Sequence, residues 1–84
     1  MTDEKIYFPH VKVKNIMKNT PDVIHVSNDS CLMVNKATEI FIKEISNSFY
    51  DLAKESNKKT ITRQIVDSTI KFNSQYEFLD GMID

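Results

Sequence analysis

The sequence contains few of the residues that interrupt or crosslink a chain. Its 84 residues include one glycine, two prolines, one cysteine and no tryptophan. Neither glycine nor proline occurs from Asp22 to Asp80, so nothing in that stretch forces a turn or breaks a helix. Cys31 has no second cysteine for an internal disulfide, and we expect it to be a small buried apolar residue. A chain this short without a disulfide is expected to gain stability by oligomerising.

The sequence also lacks the patterns of a membrane protein, a metal site or an enzyme. No apolar run approaches the roughly 18 residues that span a bilayer, and the absence of a signal peptide and of paired cysteines predicts an intracellular protein. His10 and His25 are far apart and have no zinc-type spacing. Glu39, Glu44 and Asp51 accompany no glycine-rich loop, nucleophile elbow or paired histidine. We therefore predict no catalytic residues, no metal ligands and no cofactor.

The stretch from Ser27 to Asn57 has the periodicity of one long helix. Its apolar residues recur at steps of three and four, which place them on one helical face. About 28 residues make a rod of roughly 42 Å, and short elements on each side cover only part of it. Much of this apolar face is therefore expected to be shared with a second chain. The predicted dimer-interface residues are Ala37, Phe41, Ile45, Phe49 and Leu52, together with Ile65 and Ile70 further along the chain.

A short first helix is predicted before Ser27, where the long helix is expected to begin. Residues 1–7 are expected to be a flexible arm, followed by a domain over residues 8–84. Phe8-Pro9 opens a first helix, since proline is favoured at the first helical position, and the helix is expected to stop near Asn19. Residues 22–26 form a short β-prone connector. Ser27 is the expected cap of the long helix, with Asn28 as the alternative.

Two further helices are predicted after the long one. Thr62 is expected to cap a third helix from Arg63 to about Lys71. Ser74 and Glu77 have the spacing of a capping box, which predicts a short fourth helix from Gln75 to about Asp80. Gly81 is suited to end that helix in the left-handed conformation. The predicted fold class is therefore all-α, with helices in the order short, long, short and short.

Charge is unevenly distributed along a chain whose net charge is only −1. The first helix carries Lys12, Lys14 and Lys18 and no acidic residue, and Lys58, Lys59 and Arg63 follow the long helix. The tail from Phe72 onward carries acidic residues and no basic one. Its aromatic and apolar side chains either pack on their own domain or dock a further protein, and the sequence leaves both open.

Several segments of the chain resemble the histone-fold subunits of transcription and replication factors. Phe8-Pro9-x-x-Lys12-Val13-Lys14-x-Ile16-Met17-Lys18 is similar to their first helix. Asn35-Lys36-Ala37-Thr38-Glu39-Ile40-Phe41-Ile42 resembles the middle of their long helix, Lys58-Lys59-Thr60-Ile61-Thr62 their second loop, and Phe78-Leu79 a pair in their fourth helix. The resemblance runs in order over nearly the whole chain and implies the histone fold.

The resemblance also suggests a particular member of this group. The Phe-Pro opening is similar to the alpha subunit of negative cofactor two. Most histone folds pair an aspartate where Ile65 stands with an arginine where Lys58 stands, and the absence of that pair here is also similar to this subunit. Other segments resemble the small histone-fold subunits of DNA polymerase epsilon and of the chromatin accessibility complex, and the C subunit of nuclear factor Y.

The negative-cofactor resemblance implies a nuclear heterodimer with a beta-like histone-fold partner. That pair would hold promoter double-stranded DNA together with the TATA-binding protein and repress transcription by blocking general factors. The histone-fold resemblance implies DNA contacts by Lys12, Lys14, Lys18, Lys58, Lys59 and Arg63; the alternative for the lysines is an ordinary solvated surface. Two alternatives remain: a replication or chromatin-remodelling subunit that binds duplex DNA nonspecifically, and a dimerisation module with no DNA contact.

Overall fold

The computed structural model describes residues 6–19, 22 and 25–82; the regular elements among these residues are all helices, with no strand. The helices are α1 (His10–Met17), α2 (Asn28–Glu55) and α3 (Arg63–Phe72), followed by a 3₁₀ helix, Ser74–Leu79. The predicted all-α class and the order of elements are therefore confirmed. Most of the predicted arm (residues 1–5) and part of the β-prone connector (residues 20, 21, 23 and 24) lie outside the described residues.

α1 begins and ends slightly inside its predicted bounds. Pro9 is the N-cap, with extended backbone angles of φ −56° and ψ 128°, so the prediction that it occupies the first helical position was wrong by one residue. Its carbonyl oxygen accepts the N–H groups of Lys12 and Val13, both at 3.1 Å. At the other end the N–H of Asn19 donates to Ile16 at 3.1 Å. This shorter-range bond tightens the last turn and ends the helix before Asn19.

α2 has well-defined caps at both ends. The N–H of Ser30 donates to Oγ of Ser27 at 3.1 Å, which confirms Ser27 as the cap. At the C-terminal end Asn57 has a φ of 62°. The N–H of Asn57 donates to Lys54 at 3.1 Å, and the N–H of Lys58 donates to Ala53 at 2.8 Å. These two bonds form a Schellman motif, which satisfies carbonyl groups that the helix end leaves unpaired.

The start of α3 matches its prediction, whereas the fourth helix differs from it. The N–H of Ile65 donates to Oγ1 of Thr62 at 3.3 Å, confirming that cap. The fourth element is a 3₁₀ helix that begins at Ser74, with Asn73 as its N-cap and no side-chain cap bond, so the capping box is not formed. Asn73 instead donates from Nδ2 to the carbonyl of Thr69 at 2.7 Å, which ties the chain closely to the end of α3. Gly81 adopts the predicted left-handed conformation, with a φ of 76°.

The chain divides into two compact units, Met1–Ile42 and Lys43–Asp84, and α2 contributes to both. In the described part of the first unit the buried side chains are Cys31 and Asn35, which confirms the prediction for Cys31. In the second unit α3 packs against the 3₁₀ helix. Its buried residues are Ile45, Ala53, Ile65, Thr69 and Tyr76. Among the described helices, none combines the length and apolar character needed to cross a membrane.

Candidate nucleic-acid interface

The first group of candidate DNA-binding residues lies on α1. These α1 lysines are Lys12, Lys14 and Lys18; Lys12 and Lys18 are exposed and Lys14 is half-buried. Nζ of Lys14 donates to Oδ1 of Asn28, 3.1 Å away in the first turn of α2. Asparagine is neutral, so this bond orients the ammonium group without cancelling its charge. Lys12 and Lys14 therefore lie within the eight residues of α1, and Lys18 is its C-cap.

The second group follows α2 in the other unit. These loop lysines, Lys58 and Lys59, are both exposed and come directly after the left-handed Asn57. An open cavity of about 460 Å³ lies beside them. Nζ of Lys54 lies 6.0 Å from the centre of the Tyr50 ring, within range of a cation–π contact. The cavity is lined by Tyr50, Ala53, Lys54, Asn57, Lys58, Lys59 and Ile61.

The α1 and loop lysines differ from Lys36 and Arg63 in their electrostatic surroundings. Nζ of Lys36 lies 3.4 Å from Oε1 of Glu39. Nε of Arg63 lies 3.4 Å from Oδ2 of Asp67, one helical turn away. Within the described part of the chain, no carboxylate is at ion-pairing distance from any α1 or loop lysine. Their charges are therefore available to an anionic ligand, whereas that of Arg63 is partly compensated.

The predicted dimer-interface residues differ widely in exposure within this single chain. Ile45 and Ile65 are buried in the second unit, and Ala37 is exposed. Phe41, Phe49, Leu52 and Ile70 are half-buried. Large apolar side chains outside the predicted set are more accessible, including Met33 at 74 % and Phe72 at 83 %. The assignment of the interface stays a prediction.

Sequence reasoning did not identify three of the residues that shape these two regions. Asn28, considered only as a cap, contacts Lys14. Asn57 sets the direction in which the chain leaves α2, and its position after a predicted helix end was a usable signal, because asparagine tolerates the left-handed conformation. Tyr50 lines the same cavity as the loop lysines. In the described residues no group of three or more His, Cys, Asp or Glu side chains is arranged to hold a metal ion.

Several curated proteins match this chain over most of its length. DNA polymerase epsilon subunit 4 of Drosophila melanogaster is 37 % identical over 76 residues, covering 90 % of this chain and 49 % of the relative. The human protein of the same name is 29 % identical over 76 residues, covering 90 % and 65 %. The alpha subunit of the negative cofactor 2 complex of Saccharomyces cerevisiae is 31 % identical over 75 residues, covering 89 % and 53 %. The chain thus spans about half the length of the fly and yeast relatives.

A family-level match covers most of both units. Residues 6–68 match the family described as histone-like transcription factor (CBF/NF-Y) and archaeal histone. The matched range begins before α1, includes all of α2 and ends within α3, in agreement with the helix order of the structure. The chain therefore belongs to the histone-like transcription factor and archaeal histone family, and its short, long and short helices are those of a histone fold.

Proposed function

We propose that this chain is a non-catalytic subunit that pairs with a second histone-fold chain and binds duplex DNA as a heterodimer. The observation that carries the proposal is the set of α1 and loop lysines, whose charges have no carboxylate partner among the described residues. Membership of a family that includes histones and histone-like transcription factors supports the same conclusion.

The exposed apolar surface of the chain supports an obligate partner. Ile16 on α1 and Met33 on α2 are each 74 % exposed, and Phe72 at the end of α3 is 83 % exposed. Isolated exposed apolar residues are common, but these lie on every α-helix of a very small protein whose buried core is limited. Covering them with a second chain would bury apolar surface that the monomer leaves in water.

The lysines are better suited to contacting the phosphates of duplex DNA than to recognising a particular base sequence. An ammonium group is a compact charge that neutralises phosphate, whereas guanine is best recognised by the forked guanidinium of arginine. Phosphate contacts position a protein on DNA but carry no direct sequence information. We therefore assign the α1 and loop lysines to phosphate contacts, and we expect this chain to contribute affinity without base selectivity.

We propose that the heterodimer acts in the nucleus and that this chain is an accessory subunit of the DNA replication machinery. This setting is supported by the 37 % identity to the fly polymerase epsilon subunit, which exceeds the 31 % identity to the yeast negative cofactor 2 subunit. The sequence alone favoured negative cofactor two. That promoter-bound role, with the TATA-binding protein as a further partner, is retained as a second candidate because the yeast relative matches 89 % of this chain.

Replacing both loop lysines by alanine tests the proposed phosphate contacts. In the purified heterodimer, K58A/K59A should weaken binding by a similar factor on several duplexes of unrelated sequence. The slope of log affinity against log salt should also fall in magnitude by about 0.9 for each phosphate that is no longer neutralised. The measurement is a fluorescence anisotropy titration of each duplex at four salt concentrations.

The matched control is K36A/K71A, which removes the same charge from two positions outside the α1 and loop lysines. Lys36 pairs with Glu39, and Lys71 lies in the last turn of α3. The control should leave the salt slope nearly unchanged. Equal slopes for the wild type and K58A/K59A would contradict the proposal, as would a loss of affinity confined to one duplex sequence.

A further inference from the structure

Two side chains of α2 hold the segment that leads into α1. Nδ2 of Asn35 donates to the carbonyl oxygen of Phe8 at 2.8 Å. One turn earlier on α2, the thiol of Cys31 donates to the carbonyl oxygen of His10 at 3.4 Å. The two acceptors flank Pro9, the N-cap of α1. The start of α1 is therefore attached to α2 on both sides of its cap.

α1 needs such an attachment because its own sequence does little to hold it in place. The helix has eight residues, all of them exposed or half-buried, and its N-cap makes no side-chain hydrogen bond. Isolated helices shorter than about 12 residues are marginal in water, and most helices in proteins are stabilised by packing. Within this chain α1 has no buried residue, and its start is held to α2 by the bonds at Phe8 and His10.

The presence of asparagine at position 35 is itself informative. Asn35 is 1 % exposed, and its Oδ1 atom is buried without a hydrogen-bond partner. A buried acceptor without a donor is destabilising and uncommon in native proteins. A purely apolar side chain would avoid that cost, but it would leave the carbonyl of Phe8 without its donor. The donated bond is thus the feature that distinguishes asparagine from an apolar residue at this position.

We infer that Asn35 is a positioning residue for DNA binding, which holds α1 so that Lys12 and Lys14 meet the phosphate backbone. It acts through the Phe8 carbonyl and does not itself touch DNA. The inference rests on the proposed function for its DNA part. Its structural part, the ordering of α1 by Asn35, stands independently.

Amide hydrogen exchange in the heterodimer tests the structural part without DNA. Asn35→Ala removes the donor, and Asn35→Val removes it while filling more of the space. Both variants should speed exchange of the amides of α1, such as Val13, by about 2- to 10-fold, the effect of losing one intramolecular hydrogen bond. Unchanged exchange in α1 in both variants would overturn the inference.

Thr69→Val is the matched control for loss of a buried polar group. Thr69 is buried in the second unit, and its hydroxyl donates to the carbonyl of Ile65 at 2.8 Å. This variant also removes a buried donor, but it should leave exchange in α1 at the wild-type rate. Faster exchange in α1 in Thr69→Val would indicate general destabilisation and would overturn the specific role of Asn35.

A double-mutant cycle tests the DNA part. Asn35→Ala should lower DNA affinity and the salt slope in the wild-type background, the slope by about 0.9 for each lysine that no longer reaches a phosphate. In a K12A/K14A background it should have no further effect, because the lysines it positions are gone. An equal loss of affinity in both backgrounds would overturn the positioning role. Absence of DNA binding by the wild-type heterodimer would instead refute the proposed function, while the exchange data would still judge the ordering of α1.

Discussion

The N–H of Lys58 donates to the carbonyl oxygen of Ala53, 2.8 Å away across the end of α2. This bond forms because Asn57 adopts a φ of 62°, which turns the chain back over the last helical turn. The direction in which the first loop lysine leaves α2 thus depends on one residue in a conformation that few side chains favour. The helix end and the candidate DNA contact are therefore linked through Asn57.

Substitutions at Asn57 should change the stability of the heterodimer according to their tolerance of positive φ. Asn57→Gly should be more stable than Asn57→Ala by about 1 kcal/mol, because alanine is strained in the left-handed region and glycine is not. The measurement is chemical denaturation of the heterodimer at a fixed protomer concentration. The same two substitutions at Asn19 are the control, and glycine should not be favoured over alanine there, since Asn19 lies in a turn without positive φ. If alanine equals glycine at position 57, the left-handed turn does not contribute to stability.

Thr62 and Ser74 both occupy sequence positions typical of helix caps, but their replacement by alanine should have different effects on stability. Thr62→Ala should destabilise the heterodimer by about 1 kcal/mol, because Oγ1 of Thr62 accepts the N–H of Ile65. Ser74→Ala should change stability by less than about 0.5 kcal/mol, since the 3₁₀ helix has no side-chain cap bond. Thermal unfolding of the two variants side by side measures both effects. A larger loss of stability for Ser74→Ala would show that the capping box forms after all.

The isolated chain should not behave as a stable folded monomer. Its exposed Met33 and Phe72 side chains leave apolar surface that one small chain does not cover, and obligate dimers often have no folded protomer. Circular dichroism during heating and sedimentation at micromolar concentration measure folding and mass together. A cooperative transition combined with a monomeric mass would contradict the expectation. The heterodimer should unfold cooperatively under the same conditions.

The response to TATA-binding protein should separate the two candidate settings. That protein kinks DNA by about 80°, and a partner that binds preferentially to such DNA should gain affinity from it. Coupling between two bound proteins is typically about 1–3 kcal/mol, or roughly 5- to 150-fold. A replication subunit should show equal affinity for TATA-box DNA with and without saturating TATA-binding protein. A gain of about fivefold or more at one fixed salt concentration would favour the promoter-bound role instead.

Local sequence was sufficient to determine the helices and most of their ends. Ser27 and Thr62 cap α2 and α3 as predicted, because each bond joins a hydroxyl to an N–H only three residues away. The apolar period and the absence of glycine and proline likewise determined the length of α2. The segments that resemble histone-fold subunits were enough to indicate the family, since they occur in order along the chain. These segments did not determine the member, because relatives named as polymerase epsilon subunit 4 and as negative cofactor 2 alpha both match most of this chain.

Tertiary structure decided the features that depend on residues distant in sequence. Asn35 and Phe8 are 27 positions apart, and Lys14 and Asn28 are 14 apart, so neither contact follows from a local pattern. At Ser74 one local bond took the place of another: Asn73 donates to the carbonyl of Thr69, four residues earlier, and the chain forms a 3₁₀ helix without the predicted capping box. Bonds within one helical turn are encoded by neighbouring residues, whereas the Asn35–Phe8 and Lys14–Asn28 contacts exist only once folding has brought two segments together.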